Sequence, residues 1–108
     1  MRLTARLWVD AYLTRLRLAD IPAFVVAHGD DTAGSVLVKL NTLDSHATLY
    51  QRTYTLWEDT HQWDSILAET EAEVDAAIVR QRSVDPDIWV IEVEDRAGRH
   101  MLDEPGFA

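Results

Sequence analysis

One short segment restricts the fold of this chain more than any other. Residues 88–94, Ile88-Trp89-Val90-Ile91-Glu92-Val93-Glu94, are β-branched and aromatic, and the early part of the run is apolar on both sides. Side chains alternate between the two faces of a strand, so such a run belongs in the centre of a sheet. Asp95-Arg96-Ala97-Gly98 follows, suited to a type I turn with glycine in the left-handed position. Arg99-His100-Met101-Leu102 is expected to return as a short edge strand, and Asp103 to Ala108 as a frayed tail.

A helix leads into that central strand. Thr70-Glu71-Ala72-Glu73 has the spacing of a capping box, where a hydroxyl and a carboxylate satisfy orphan amides at a helix start. Val74, Ala77, Ile78 and Gln81 make its inward stripe. Glu71, Glu73 and Asp75 lie near the positive end of the dipole, Arg80 and Arg82 near the negative end, and Asp85-Pro86 stops it.

A second helical pattern covers residues 4–20. Ala5, Trp8, Val9, Tyr12, Leu16 and Ala19 share one face, and Pro22 closes the segment. Leu7, Ala11 and Leu18 form a second stripe on nearly the opposite side, expected to pack on a further internal layer rather than on another chain. Between the helices, Ala23–His28 and Ser35–Asn41 read as strands joined in an antiparallel hairpin through Gly29–Gly34. His46–Leu56 alternates as a long strand, and Gln62–Leu67 is compatible with a fourth strand or a helical start. The expected fold is α+β: an antiparallel sheet of four to six strands with two helices, in the order α-β-β-β-(β)-α-β-β. Residues 1–102 form one domain in this reading, with 103–108 as the tail. One face of the sheet is left for long side chains, another chain or a ligand to cover.

Charge and composition exclude several function classes. The 108 residues contain no cysteine, which removes disulfides, thiolate nucleophiles and Cys-based metal sites. The formal net charge is −9. The first forty residues hold five bases and four acids, whereas residues 41–108 hold five bases and fifteen acids. A field of that sign repels phosphate backbones, so direct nucleic-acid binding is not expected. Apolar runs are only a few residues long, and the start Met1-Arg2-Leu3-Thr4-Ala5-Arg6 lacks a signal-peptide core. A soluble cytoplasmic protein is expected, with no membrane association.

The candidate chemistry is sparse. His28, Asp30 and Asp31 meet at the first expected hairpin tip, a weak candidate for a hard divalent ion that needs further ligands from Glu92, Glu94 or His46. Asp-rich tips more commonly bond their own backbone. The element order is analogous to the core of metal-dependent nucleases of the restriction-enzyme type, which place a carboxylate two residues before a lysine. Here the single lysine, Lys39, has Leu37 at that position. His100 beside Glu92 and Glu94 is a general-base candidate, set against a plain exposed edge residue. No Gly-x-Ser-x-Gly elbow or phosphate-binding glycine loop occurs.

Tyr54, Trp57 and Trp63 bracket the turn at Glu58–His61 and make an aromatic group rimmed by acids. Aromatics beyond the needs of a core often anchor interfaces, so these three are the interaction candidates; the alternative is that the tryptophans cover the sheet. The leading expectation is a non-enzymatic protein-interaction module that meets an unidentified protein or its own copy, without a cofactor. The alternatives are a small metal-dependent hydrolase or nuclease-like enzyme, and an acidic regulator of a basic nucleic-acid-binding protein.

Two stretches carry a resemblance. Gly34-Ser35-Val36-Leu37-Val38-Lys39-Leu40-Asn41 and the block EVDAAIVRQRSVDPDIWVIEVEDRAG at 73–98 resemble the domain-of-unknown-function family 1491 of small alphaproteobacterial proteins. The likeness runs from the Trp8-Val9 helix through the final expected hairpin, most of the chain. It implies a bacterial cytoplasmic protein folded as one domain, and it carries no activity, cofactor or catalytic residue.

Overall fold

A computed structural model describes residues 3–55 and 60–107. Two helices, α1 (Ala5–Leu18) and α2 (Glu71–Val84), accompany five strands: β1 (Ala23–Ala27), β2 (Val36–Asn41), β3 (His46–Thr55), β4 (Thr60–Thr70) and β5 (Trp89–Glu94). The sheet order is β1-β5-β2-β3-β4. Every neighbouring pair is antiparallel except β2 and β5, which run parallel from Val36↔Trp89 to Asn41↔Glu94. The fold class is therefore α+β with a mixed sheet, and Gln62–Leu67 belongs to strand β4 rather than to a helix.

Strand β5 explains the arrangement. Trp89, Ile91 and Val93 join the cluster under α1, while Ile88 and Val90 join the cluster under α2. Strand β2 alternates in the same way and is buried at all six positions. The helices thus lie on opposite faces, and the sheet is the middle of three layers. This corrects the expectation of one face left for other groups to cover.

The central position of β5 also overturns two expected pairings. β1 and β2 do not form a hairpin, because β5 sits between them and hydrogen-bonds to both. The Asp95–Gly98 turn forms, with Gly98 N–H on the Asp95 carbonyl at 3.0 Å and φ +76° at the glycine. The chain beyond it makes no strand over residues 99–102. Both edges of β5 are already taken, so a strand returning from the turn cannot pair with β5.

Local signals at the helices are realised. Thr70 Oγ1 accepts the Glu73 amide at 3.3 Å and caps α2, whose Val74 and Ile78 are buried. Helix α1 buries Ala5, Trp8, Val9, Tyr12 and Leu16. Its second stripe meets no internal layer: Leu7 is 55% and Leu18 77% exposed.

Candidate functional site

The connection between β1 and β2 brings His28, Asp30 and Asp31 close in space, with each polar group already engaged. Asp30 Oδ2 accepts the amides of Thr32 at 3.1 Å and Ala33 at 2.8 Å. Asp31 Oδ1 lies 2.9 Å from His28 Nε2 and 3.8 Å from Arg6 Nη1. The backbone of this segment caps α1, since the carbonyls of Thr32 and Asp31 take the Ala5 and Arg6 amides at 3.1 and 2.9 Å. It is also pinned to the entry of β5. Asp30 N–H donates to the Asp87 carbonyl at 3.0 Å, and the Trp89 indole donates to the Asp30 carbonyl at 2.8 Å. Gly29 and Gly34 approach the Asp87 carbonyl so closely that a Cβ at either would collide with it.

Of the further ligands considered, Glu92 turns to the α2 face and His46 sits beside Asp44 at the start of β3. No group of three His, Asp or Glu residues suited to a metal ion occurs among the described residues.

A stronger polar constellation lies under α2. Lys39 points from β2 into that face with its side chain 4% exposed, and three carboxylates close on its Nζ: Asp75 at 2.7 Å, Glu71 at 2.9 Å and Glu92 at 3.1 Å. Asn41 Nδ2 donates to Glu71 at 3.3 Å and to Glu92 at 3.4 Å. Burial by itself lowers the Lys39 pKa, but the hydrogen bonds to Asp75, Glu71 and Glu92 outweigh it and hold the ammonium well above its ordinary range. The group is a fixed cation at neutral pH and is unsuited to act as a nucleophile or base. The nuclease analogy looked for a carboxylate two residues before Lys39. The acids instead arrive from α2 and β5, and they surround an ammonium. The signal available in sequence was a single lysine inside an otherwise apolar strand.

Trp63 lies on the other face of the sheet. Its ring sits 5.2 Å from that of Trp8, which stacks on Tyr12 at 4.9 Å. Its indole N–H donates to the Phe107 carbonyl at 2.6 Å. The segment 103–107, expected to fray, is docked here: Arg15 holds Glu104 through two bonds of 2.7 and 2.8 Å, and Phe107 packs edge-on to Trp8 and Tyr12. Tyr54 pairs through its backbone with His61, while its side chain and all of Trp57 lie outside the described residues. His100 is half-buried rather than on an exposed edge. Its ring packs at a tilt against that of Tyr50, 4.8 Å between centroids, and its Nδ1 accepts the Leu102 amide at 3.0 Å. Burial lowers its pKa, opposite to the rise that a general base beside Glu92 and Glu94 would need.

Between the C-terminal end of α2 and the sheet, a shallow cleft of about 390 Å³ has Leu37 and Ile88 on its floor and Gln51, Arg80 and Gln81 at its rim. At the sheet edge, β1 exposes Phe24 at 46%, Val25 at 40% and Val26 at 52%.

Comparison with known proteins fixes the family. The crystal structure of a DUF1491 family protein from Caulobacter crescentus CB15 superposes with a TM-score of 0.87 at 37% identity, covering 96% of this chain and 98% of that one. An NMR structure of a DUF1491 family protein from the same organism gives 0.83 at 38% identity, over 97% and 96% of the two chains. The solution structure of protein Atu0922 from A. tumefaciens gives 0.75 at 27% identity, over 87% and 86%. No curated protein matches. No helix among the described residues is long and apolar enough to cross a membrane. The family model described as "Protein of unknown function (DUF1491)" matches residues 3–103, and the chain belongs to that family.

Proposed function

We propose that this protein is a non-enzymatic protein-interaction module that pairs with an extended segment of another protein along the outer edge of β1. The carrying observation is the contrast between the two edges of the sheet. An open edge is a template for further strands, and soluble proteins normally protect it with charge. The other edge strand, β4, carries Asp64 and Glu69, whereas Ala23-Phe24-Val25-Val26-Ala27 carries no charge and presents three large apolar side chains to solvent. Burying Phe24, Val25 and Val26 under a partner strand adds main-chain hydrogen bonds to apolar contact, the mode known as β-augmentation.

In this reading the interaction surface is the β1 edge, on a different part of the sheet from Trp63. The test is affinity capture from native cells with the wild type and with Phe24→Lys/Val26→Lys, followed by binding measurements on the purified partner. Both substitutions sit at exposed positions, so cooperative melting should change little. A stoichiometric partner that binds the wild type directly and loses at least about 10-fold in affinity with the variant supports the reading. An identical partner set and affinity for both proteins would remove it.

A further inference from the structure

Residues 101–107 form neither strand nor helix, and their own backbone bonds are few: Glu104 N–H to Met101 O at 3.3 Å and Phe107 N–H to Glu104 O at 3.2 Å. Leu102 anchors the start of the segment in the core at 2% exposure, and residues 104–107 are held to α1 and β4 by three contacts of different kinds. The Arg15 guanidinium forks onto the Glu104 carboxylate, a bidentate and charge-assisted pair. The Trp63 indole donates to a main-chain carbonyl, that of Phe107. The Phe107 ring sits edge-on at 6.0 Å from Trp8 and 5.6 Å from Tyr12. These contacts recognise a carboxylate, two spacers, an aromatic ring and one backbone carbonyl, which is what a peptide-binding slot recognises. One donor of the slot is left unmet. Trp8 is 4% exposed, and its indole N–H has no acceptor among the described residues. The slot also lies on the less acidic part of the chain, where α1 supplies Arg6, Arg15 and Arg17.

We propose that Arg15, Trp8, Tyr12 and Trp63 form a binding slot for a partner segment with a carboxylate three residues before an aromatic, and that Glu104 and Phe107 occupy it in cis as a competing segment. A short tether keeps the internal segment at an effective concentration on the order of mM, so a partner must displace it to bind. Occupancy of the slot is thereby regulated by the chain's own C-terminal residues. This inference is independent of the β1 edge and uses a different face of the molecule.

The experiment uses the full chain with Glu104→Ala/Phe107→Ala, which vacates the slot and leaves Arg15 and the aromatic rings in place. The probe is a capped synthetic peptide of residues 103–108, titrated while the Trp63 indole N–H resonance is followed. The expected result is saturable binding to the variant and binding at least about 10-fold weaker to the wild type, whose own segment competes. Replacing either the Glu or the Phe of the peptide, or adding Arg15→Ala to the protein, should weaken binding to the variant by a similar factor. If the double variant does not melt cooperatively, Phe107→Ala alone vacates the aromatic part of the slot, and replacing the peptide's Phe must then weaken binding to it by at least about 10-fold. A folded variant that ignores the peptide up to mM concentrations, or that binds it equally well without the acid and the aromatic ring, overturns the proposal. So does a concentration-dependent dimer of the wild type that disappears in the variant, because it would assign the slot to a second copy.

Discussion

Replacing Lys39 with Met tests whether the cluster under α2 is a charge-balanced support of the fold. The substitution keeps the length and apolar stem of the side chain and removes the ammonium that Asp75, Glu71 and Glu92 share. Removing one partner of a fully buried pair costs roughly 3–5 kcal/mol, because the remaining charge is stranded. The three acids differ in their access to water. Glu71 and Asp75 keep 39% and 52% of their side-chain exposure and regain solvation, while Glu92 at 14% does not. Only Glu92 is left near the full cost, so the expected loss is about 2–3 kcal/mol, or a fall of ~10 °C in melting temperature for a domain of this size.

The assay is chemical denaturation of the wild type, Lys39→Met, Glu92→Leu and the double variant at several pH values. Lys39→Met/Glu92→Leu removes the stranded acid together with the ammonium and should recover at least half of the loss, since an apolar pair of similar volume often matches a buried ion pair. The Lys39 pKa is raised above 10.5 in the fold, so the ammonium contributes fully below that value and is lost only as pH rises through the folded value. The deficit of Lys39→Met against the wild type should accordingly be constant from about pH 6 to about pH 9. A Lys39→Met protein as stable as the wild type would refute the reasoning. So would a double variant no better than the single one.

Three further outcomes follow from the same geometry. Thr70→Ala removes the hydroxyl that accepts the Glu73 amide and should cost about 1 kcal/mol in denaturant titration, without altering the far-UV spectrum. Gly34→Ala drives a methyl group against the Asp87 and Asp30 carbonyls and should destabilise by at least ~2 kcal/mol, whereas Gly98→Ala, with open space around it, should cost only about 1 kcal/mol for its positive φ. His100 is held below its ordinary value of 6.5 by burial, so the unfolded chain binds its proton first and stability falls as pH drops below 6.5 until the folded group titrates. His100→Gln should flatten that part of the wild-type stability profile, and an unchanged slope would show that another group is responsible.

Much of this fold is legible in the sequence because its signals are local. Thr70 and Glu73 mark the start of α2, Asp95 to Gly98 form the expected turn, and the Trp8, Tyr12 and Leu16 spacing marks the buried face of α1. Each of these depends on residues within a turn or two of one another. The errors arise where distant segments compete for the same partner. Ala23–Ala27 and Val36–Asn41 are close in sequence and carry a good turn between them, so a hairpin is the cheapest local solution. It is displaced because β5, apolar on both faces, takes the position between β1 and β2, where it has a neighbour on each edge and cover on each face. The Lys39 cluster was hidden for the same reason. Its four charged members come from β2, α2 and β5, and no spacing pattern in one segment announces a site assembled from three.

The same competition explains why the two surfaces proposed for binding lie where they do. By entering between β1 and β2, β5 pushes β1 to the rim of the sheet and leaves its apolar residues without a further strand to pair with. By filling both of its own edges, β5 also denies the following chain a place beside it, and residues 99–107 turn across the α1 face instead. There they meet Trp8, Tyr12 and Trp63, a group of rings that α1 and β4 present but do not cover completely. An open apolar edge and an aromatic slot filled by a non-ladder segment are thus two consequences of one placement. Substitutions that weaken β5 at Val90 or Ile91, both fully buried, should disturb both surfaces together. Substitutions at Phe24 or Phe107 should disturb one and spare the other, and that separation distinguishes binding residues from the framework that positions them.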